Sequence, residues 1–183
     1  MKIGMQADRN PDHARAEASD VADAVRFRPV RASDLDAVAA MQEASIMALG
    51  APVYGEDKAR AWARLGYQFR YDLIGEGGFW VAEQAGRILG VGGWSPDGME
   101  ADLAWIRYLF VAPDATRRGI GRRLIALAER SACGTGRPRL RVWASLNAVP
   151  FYRAVGFLPV RRARWPVRTG VDLDYVLMGK GAG

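Results

Sequence analysis

Gly119 and Gly121 stand two residues apart, just after an apolar run, with Arg117, Arg118, Arg122 and Arg123 around them. The stretch VAPDATRRGIGRRL (residues 111–124) suits one chemistry in particular, the holding of phosphate. A helix that starts here presents unpaired backbone N–H groups and a partial positive charge. Glycine lets that backbone approach an anion closely and adopt dihedrals closed to other residues. The pattern is not the P-loop GxxxxGK[ST], and it fails the dinucleotide GxGxxG because position 124 is leucine. Taken alone, the same residues also fit a tight strand-to-helix turn with a solvated basic face. Metal and disulfide chemistry have little to build on, since Cys133 is the only cysteine and His13 the only histidine.

The charge distribution agrees with an anionic partner. The net charge is +6, and between Arg117 and Arg168 there are thirteen arginines and one acidic residue, Glu129. Such a surface favours nucleic acid, an acidic membrane or a phosphorylated small molecule, and arginine in particular suits bidentate contact with phosphate. With 183 residues, 50% apolar and 25% charged, the composition is that of one globular domain. No run approaches the roughly 20 apolar residues of a membrane span. Residues 1–20 also lack a signal-peptide core, so a cytoplasmic protein is expected.

Positioning the glycine turn requires elements on both sides. Residues 1–22 are polar and aperiodic, which predicts a mobile tail before a domain over 23–183. VRFRPV (25–30) reads as an edge strand, followed by a helix with Ser33 as N-cap and Leu35, Val38, Ala39, Ile46 and Leu49 on its apolar side, stopped by Gly50 and Pro52. Residues 55–74 read as a second helix interrupted at Gly66. FWVAEQ and ILGVGGWS form a hairpin, and ADLAWIRYLFVAP, apolar on both faces, reads as a central strand. A helix from Gly119 to Ala132 carries Ile120, Leu124, Leu127 and Ala128 as one stripe. A strand at 139–145, a short helix at 148–155 ended by Gly156, and a closing strand pair complete a single mixed α/β domain.

LFVAPDATRRGIGRRLIALAE, with Val111, Pro113 and then Thr116 through Gly121, resembles motif A of the GCN5-related N-acetyltransferases, the GNAT superfamily. Thr116 stands where that family usually has Gln or Arg, and Arg117 is positioned to supply the positive group. About thirty residues on, NAVPFYRAVGF (147–157) resembles the family's second signature through Asn147, Tyr152, Gly156 and Phe157. The resemblance implies a single GNAT-like domain, a mixed central sheet flanked by helices, with strands splayed to admit acetyl-CoA as co-substrate. It further implies that the backbone of Leu109, Phe110 and Val111 meets the pantetheine arm and thioester at a bulge near Phe110. Thr116, Arg117, Arg118, Gly119, Ile120, Gly121 and Arg122 would then hold the phosphates, and Asn147 would cap its helix and steady the arm. Tyr152 matches the tyrosine that protonates the departing thiolate, with Phe151 taking the packing role.

The amine must lose a proton before it attacks, because a free alkylamine has a pKa near ~10.4. Related sequences often carry Glu in an A-E-I-R-like stretch, but this chain reads Ala104-Trp105-Ile106-Arg107, and Trp105 cannot accept a proton. Glu83, Glu100, Asp102 and a water chain remain open as the base. Tyr54 and Trp62, eight apart, resemble the acceptor side of small-molecule members, so Tyr54 and Trp105 are expected to touch substrate. Ser45, Trp62, Tyr67, Trp94 and Trp165 are further candidates for lining the pocket, with Glu56, Asp57, Asp172 and Asp174 as the acids available to it. The expected partner is a small-molecule or peptide amine, with no nucleic acid and no membrane, and the resemblance also admits a homodimer. A module that binds acyl-CoA without turnover is the alternative, with Trp105 in its favour and Tyr152 against it. Nucleic-acid binding is third, since no recognition helix or stacking signature accompanies the arginines.

Overall fold

A seven-stranded sheet runs through the computed structural model, which describes residues 24–65 and 78–181. Strand β1 (Arg26–Pro29) lies antiparallel to β2 (Phe79–Gln84), which forms a hairpin with β3 (Arg87–Pro96). Ala85 and Gly86 join them with φ of 48° and 77°, the mirror-image turn whose twist matches paired strands. The central strand β4 (Leu103–Val111) is antiparallel to β3, and helix α4 (Ile120–Gly134) carries the chain over to β5 (Arg139–Ser145), parallel to β4. A closing hairpin of β6 (Leu158–Arg168) and β7 (Val171–Lys180) adds β7 to β5 and leaves β6 at the edge. The sheet order is β1-β2-β3-β4-β5-β7-β6, mixed in direction, so the single α/β domain expected from the chain is the one formed.

Between β1 and β2 the chain departs from its sequence reading in two places. A 3-10 turn (Ala32–Asp34) precedes α1 (Leu35–Ser45), and Asp34, not Ser33, organises the helix start. The Asp34 carboxylate is 7% exposed, accepts the Arg31 amide at 2.7 Å and receives both guanidinium nitrogens of Arg28 at 2.7 and 2.8 Å. A serine hydroxyl cannot offer that two-pronged acceptor, and Ser33 stays exposed. Gly50 and Pro52 also fail to stop the helix. It widens into a π-turn (Ile46–Gly50) and continues as α2 (Ala51–Tyr54), where Pro52 sits in the first turn and its missing N–H costs nothing. The break comes at Gly55, with φ 86°, before α3 (Glu56–Leu65). The expected interruption at Gly66, the rest of that helix and the tail expected over residues 1–22 lie outside the described residues.

The core lies on both faces of the sheet. Val38 and Met41 of α1 pack with Phe79, Val81 and Val91, and Ile120 and Leu124 of α4 join the same cluster. Ile125, Ala128 and Ala132 of α4 cover Ala104, Val142 and Met178 together with Phe157. Ile125 thus replaces the expected Leu127 on the buried stripe, while Leu49 stays at the surface. No described helix is long and apolar enough to cross a membrane.

Arg28 holds the Asp34 carboxyl below its ordinary 3.8, so the contribution of Asp34 to stability is complete above that value and is lost as pH falls through the lowered folded-state value. Asp34→Ala is expected to cost about 2–3 kcal/mol at neutral pH, because the Arg28 guanidinium and the Arg31 amide both lose their acceptor. Urea titration at pH 7 and pH 3 checks this. The penalty should shrink at pH 3, and an equal penalty at both would assign Asp34 a purely steric role.

Candidate active site

Strands β4 and β5 pair only through Leu103 with Arg139, Ala104 with Leu140 and Trp105 with Arg141. Beyond that point β4 stays with β3 as far as Val111, and β5 stays with β7 as far as Ser145, so the two diverge. A bulge accompanies the divergence. Arg107 pairs with Gly93 and Phe110 with Val91, which leaves one extra residue on β4 opposite Gly92. Tyr108 sits there at φ 51°, a left-handed conformation that costs a bulky residue energy. The bulge expected near Phe110 is therefore centred on Tyr108. The gap is a cleft of about 440 Å³ with Leu109 and Phe110 on one wall and Val142 and Trp143 on the other. On its β5 side the backbone of β4 beyond Trp105 has no partner strand, an open edge inside the protein.

The turn after β4 leads to the start of α4. Thr116 donates its hydroxyl to the Pro113 carbonyl at 3.0 Å, and Arg117 and Gly119 are both left-handed, at φ 65° and 81°. No side chain caps the 15-residue helix α4, and a Cβ on Gly119 would point into open space. Ile120 is buried, so only its backbone is available, whereas Arg117, Arg118 and Arg122 are exposed. Arg118 donates to Gln84 Oε1 at 2.9 Å. Gly121 lets the first turn of α4 press against its neighbours, since a Cβ there would lie 3.3 Å from the Phe151 ring and 3.6 Å from Val111.

Helix α5 (Val149–Ala154) brings up the other motif. Asn147 does not cap it, a correction to expectation: the N-cap position is Ala148, and no side chain bonds there. The Asn147 Oδ1 is instead buried without a hydrogen-bond partner, one residue before Ala148, which lines the cleft. Tyr152 also lines the cleft, wedged between Phe151 at 5.3 Å and Phe157 at 5.5 Å, with 5% exposure. Tyr152 is the deeper of the two aromatics, and Phe151 packs at the α4 turn. Burial pushes the Tyr152 phenol well above its ordinary 10 and keeps it protonated.

On the acceptor side, Tyr54 is a brace. Its hydroxyl donates to the Asp174 carbonyl and accepts the Leu146 amide, each at 2.7 Å, tying α2 to β7 and to the turn after β5. Trp62 meets the rings of Tyr54, Phe110 and Tyr175 and so closes the cleft over the bulge. Trp105 lies beside the cleft, its indole donating to Asp97 Oδ2 at 2.6 Å and its ring stacked on Trp143 at 6.3 Å and 13°. Trp165 meets Trp143 edge-on at 5.6 Å. Trp94 is buried on the opposite face among the α4 contacts, Ser45 is buried in α1, and Tyr67 lies outside the described residues. Sequence reasoning missed Trp143, Tyr175 and a lining role for Arg107, since only the strand register brings the three to one cleft.

The proposed bases are spoken for elsewhere. Glu83 pairs with Arg28, while Glu100 and Asp102 pair with Arg139, and Glu100 also with Arg141. Glu56 and Asp57 face Arg60, and Asp174 pairs with Arg164. Among the described residues no carboxylate lines the cleft. Replacing Tyr54 by Phe strands the Leu146 amide and is expected to cost about 1–2 kcal/mol, read as a lowered urea midpoint at unchanged slope. A midpoint equal to wild type would remove the brace.

Residues 75–159 match the family described as Acetyltransferase (GNAT) domain. The Mus musculus protein named "Probable N-acetyltransferase 14" is 36% identical over 126 residues, covering 66% of this chain and 55% of that protein. An uncharacterized N-acetyltransferase of Methanocaldococcus jannaschii is 32% identical over 108 residues, 55% of this chain and 47% of that one. The chain thus spans about half the length of the curated relatives it matches. Among solved structures, a GCN5-related N-acetyltransferase from Rhodopseudomonas palustris superposes with a TM-score of 0.74 at 28% identity, covering 86% of this chain and 96% of that one. PaiA N-acetyltransferase from Thermoplasma acidophilum, solved in complex with coenzyme A, shares the fold, with a TM-score of 0.68 at 22% identity over 87% and 99% of the two chains.

Proposed function

We propose, from the match of residues 75–159 to the Acetyltransferase (GNAT) domain and from the shared fold, that this chain acts as a GCN5-related N-acetyltransferase, transferring an acetyl group from acetyl-CoA to the amine of a small molecule or peptide by direct attack. The observation that carries this reading is the cleft between β4 and β5, open where their pairing stops after Trp105. The residues around it fit the co-substrate. The open edge of β4 can bond an amide-bearing arm as a strand would, and the orphaned Asn147 Oδ1 is an acceptor for an amide N–H. The uncapped start of α4, with Gly119 and the exposed Arg117, Arg118 and Arg122, suits the phosphates. The domain proposed to do this work spans residues 23–183, with the cytoplasm as its proposed compartment.

Acetyl-CoA supplies an activated thioester: the N–C bond forms as the C–S bond breaks, the amine gives up one proton and the sulfur takes one. The backbone N–H beside the bulge, at Leu109, is the donor proposed for the carbonyl oxygen as it gains charge. Tyr152 is the proposed acid for the sulfur, since it lines the cleft and its phenol is protonated at neutral pH. With no carboxylate on the described lining, the amine's proton passes to solvent through the cleft mouth. The same absence favours the second reading, a module that binds acyl-CoA without turnover, and thiol release separates the two.

Gly119→Glu places bulk and negative charge at the α4 start and is expected to abolish acetyl-CoA binding in calorimetry; a folded variant with unchanged affinity would remove the cradle. Tyr152→Phe is expected to lower kcat about 10²-fold with similar acetyl-CoA affinity, as follows from a lost proton donor. Wild-type turnover in that variant would return Tyr152 to packing.

A further inference from the structure

The cleft is lined by one cation, Arg107, and no acid among the described residues. Arg107 stands on the helix α1–α3 face of the sheet, in register with Gly93, which has no side chain to block it. It donates to Ser95 Oγ at 3.3 Å, and among the described residues no carboxylate lies within ion-pair distance. Four other strand arginines differ, since Arg28, Arg139, Arg141 and Arg164 each hold an acid. Asp97 is the carboxylate whose charge reaches Arg107, but both its oxygens are occupied, one by the Trp105 indole and one by the amides of Met99 and Glu100. Arg107 is open to solvent yet ringed by cleft walls, which lower its pKa without discharging it.

Its neighbours form an aromatic wall in which Trp105 and Trp143 stack and Trp165 stands edge-on to Trp143. The Arg107 guanidinium lies 5.4 Å from the Trp105 ring, which stacks on Trp143, and the Trp165 ring beyond is 49% exposed. Stacking fixes the orientation of the guanidinium before any ligand arrives, so little is lost on docking. We propose that the acceptor is an amino acid or close analogue, its carboxylate held by Arg107 and its apolar, aromatic-compatible side chain laid on the Trp105–Trp143–Trp165 wall. The proposal rests on the acetyl-transfer reading. Arg107 immediately precedes the bulge residue Tyr108, so a carboxylate there leaves only a few bonds to an amine at the thioester. Polyamines and aminoglycosides, all cation, find no counter-charge on this lining.

The test compares L-phenylalanine, L-phenylalaninamide and 2-phenylethylamine as acceptors, by thiol release from acetyl-CoA. For wild type, kcat/KM for phenylalanine should exceed both carboxyl-free amines by about 30-fold or more, the worth of a charge-assisted hydrogen bond. Arg107→Gln should bring the three within about threefold, by the same principle, and Arg107→Lys should recover part of the preference. Calorimetry with N-acetyl-L-phenylalanine and N-(2-phenylethyl)acetamide gives a readout independent of turnover, with selective binding of the first by wild type and its loss in Arg107→Gln. Equal use of carboxyl-free amines, or a preference that survives Arg107→Gln, overturns the proposal while leaving acetyl transfer standing. Absence of acetyl-CoA binding by folded wild type overturns the reading beneath it.

Discussion

Beyond Trp105 the backbone of β4 turns away from β5, and the hydrogen bonds a parallel pair would make are left for another molecule to make. An unpaired strand edge is a costly feature, because its amides and carbonyls lack the partners a sheet would give them. The protein keeps it by putting the strain in one place. Tyr108 takes a left-handed conformation, β4 gains one residue against β3, and the central strand bends. Hairpins on either side hold the two strands apart, β2 with β3 on one flank and β6 with β7 on the other. Tyr54 then ties the far wall to the helices that cover it.

The two demands of the proposed reaction, charge and acyl transfer, would fall at the two ends of that opening. Basic residues and uncapped amides gather where β4 gives way to α4, and the aromatic lining lies deeper, along β4 and β5. Gly121 makes this spacing close, since without a Cβ the first turn of α4 can rest on Val111 and Phe151. Tyr152, one residue on from Phe151, is thereby fixed relative to the phosphate turn. The geometry comes from packing contacts between motifs that are thirty residues apart in the chain.

Much of this order was legible from local pattern. Alternation gave the hairpins, the doubly apolar run gave the central strand, and the glycine turn lay where a strand met an amphipathic helix. What escaped depended on distant partners. Ser33 and Asp34 are both competent caps, and the choice was made by Arg28 on β1. The bulge near Phe110 takes its exact place at Tyr108 and Leu109 because register is set against Gly92 on another strand. Asn147 looked like a cap, but its turn closed one residue later, at Ala148. Arg107 was one arginine among many until the pairings of Arg139 and Arg141 with Glu100 were known.

The left-handed conformation at Tyr108 also bears on how such a chain can change over generations. Glycine would occupy that conformation without strain, so a single substitution there would relieve the backbone and could raise the melting temperature. The same substitution would remove a ring that packs on Phe79 at 6.0 Å and a side chain from the cleft wall. A glycine there would keep the bend and lose the ring, so at this position the tyrosine trades backbone strain for packing and a wall of the cleft.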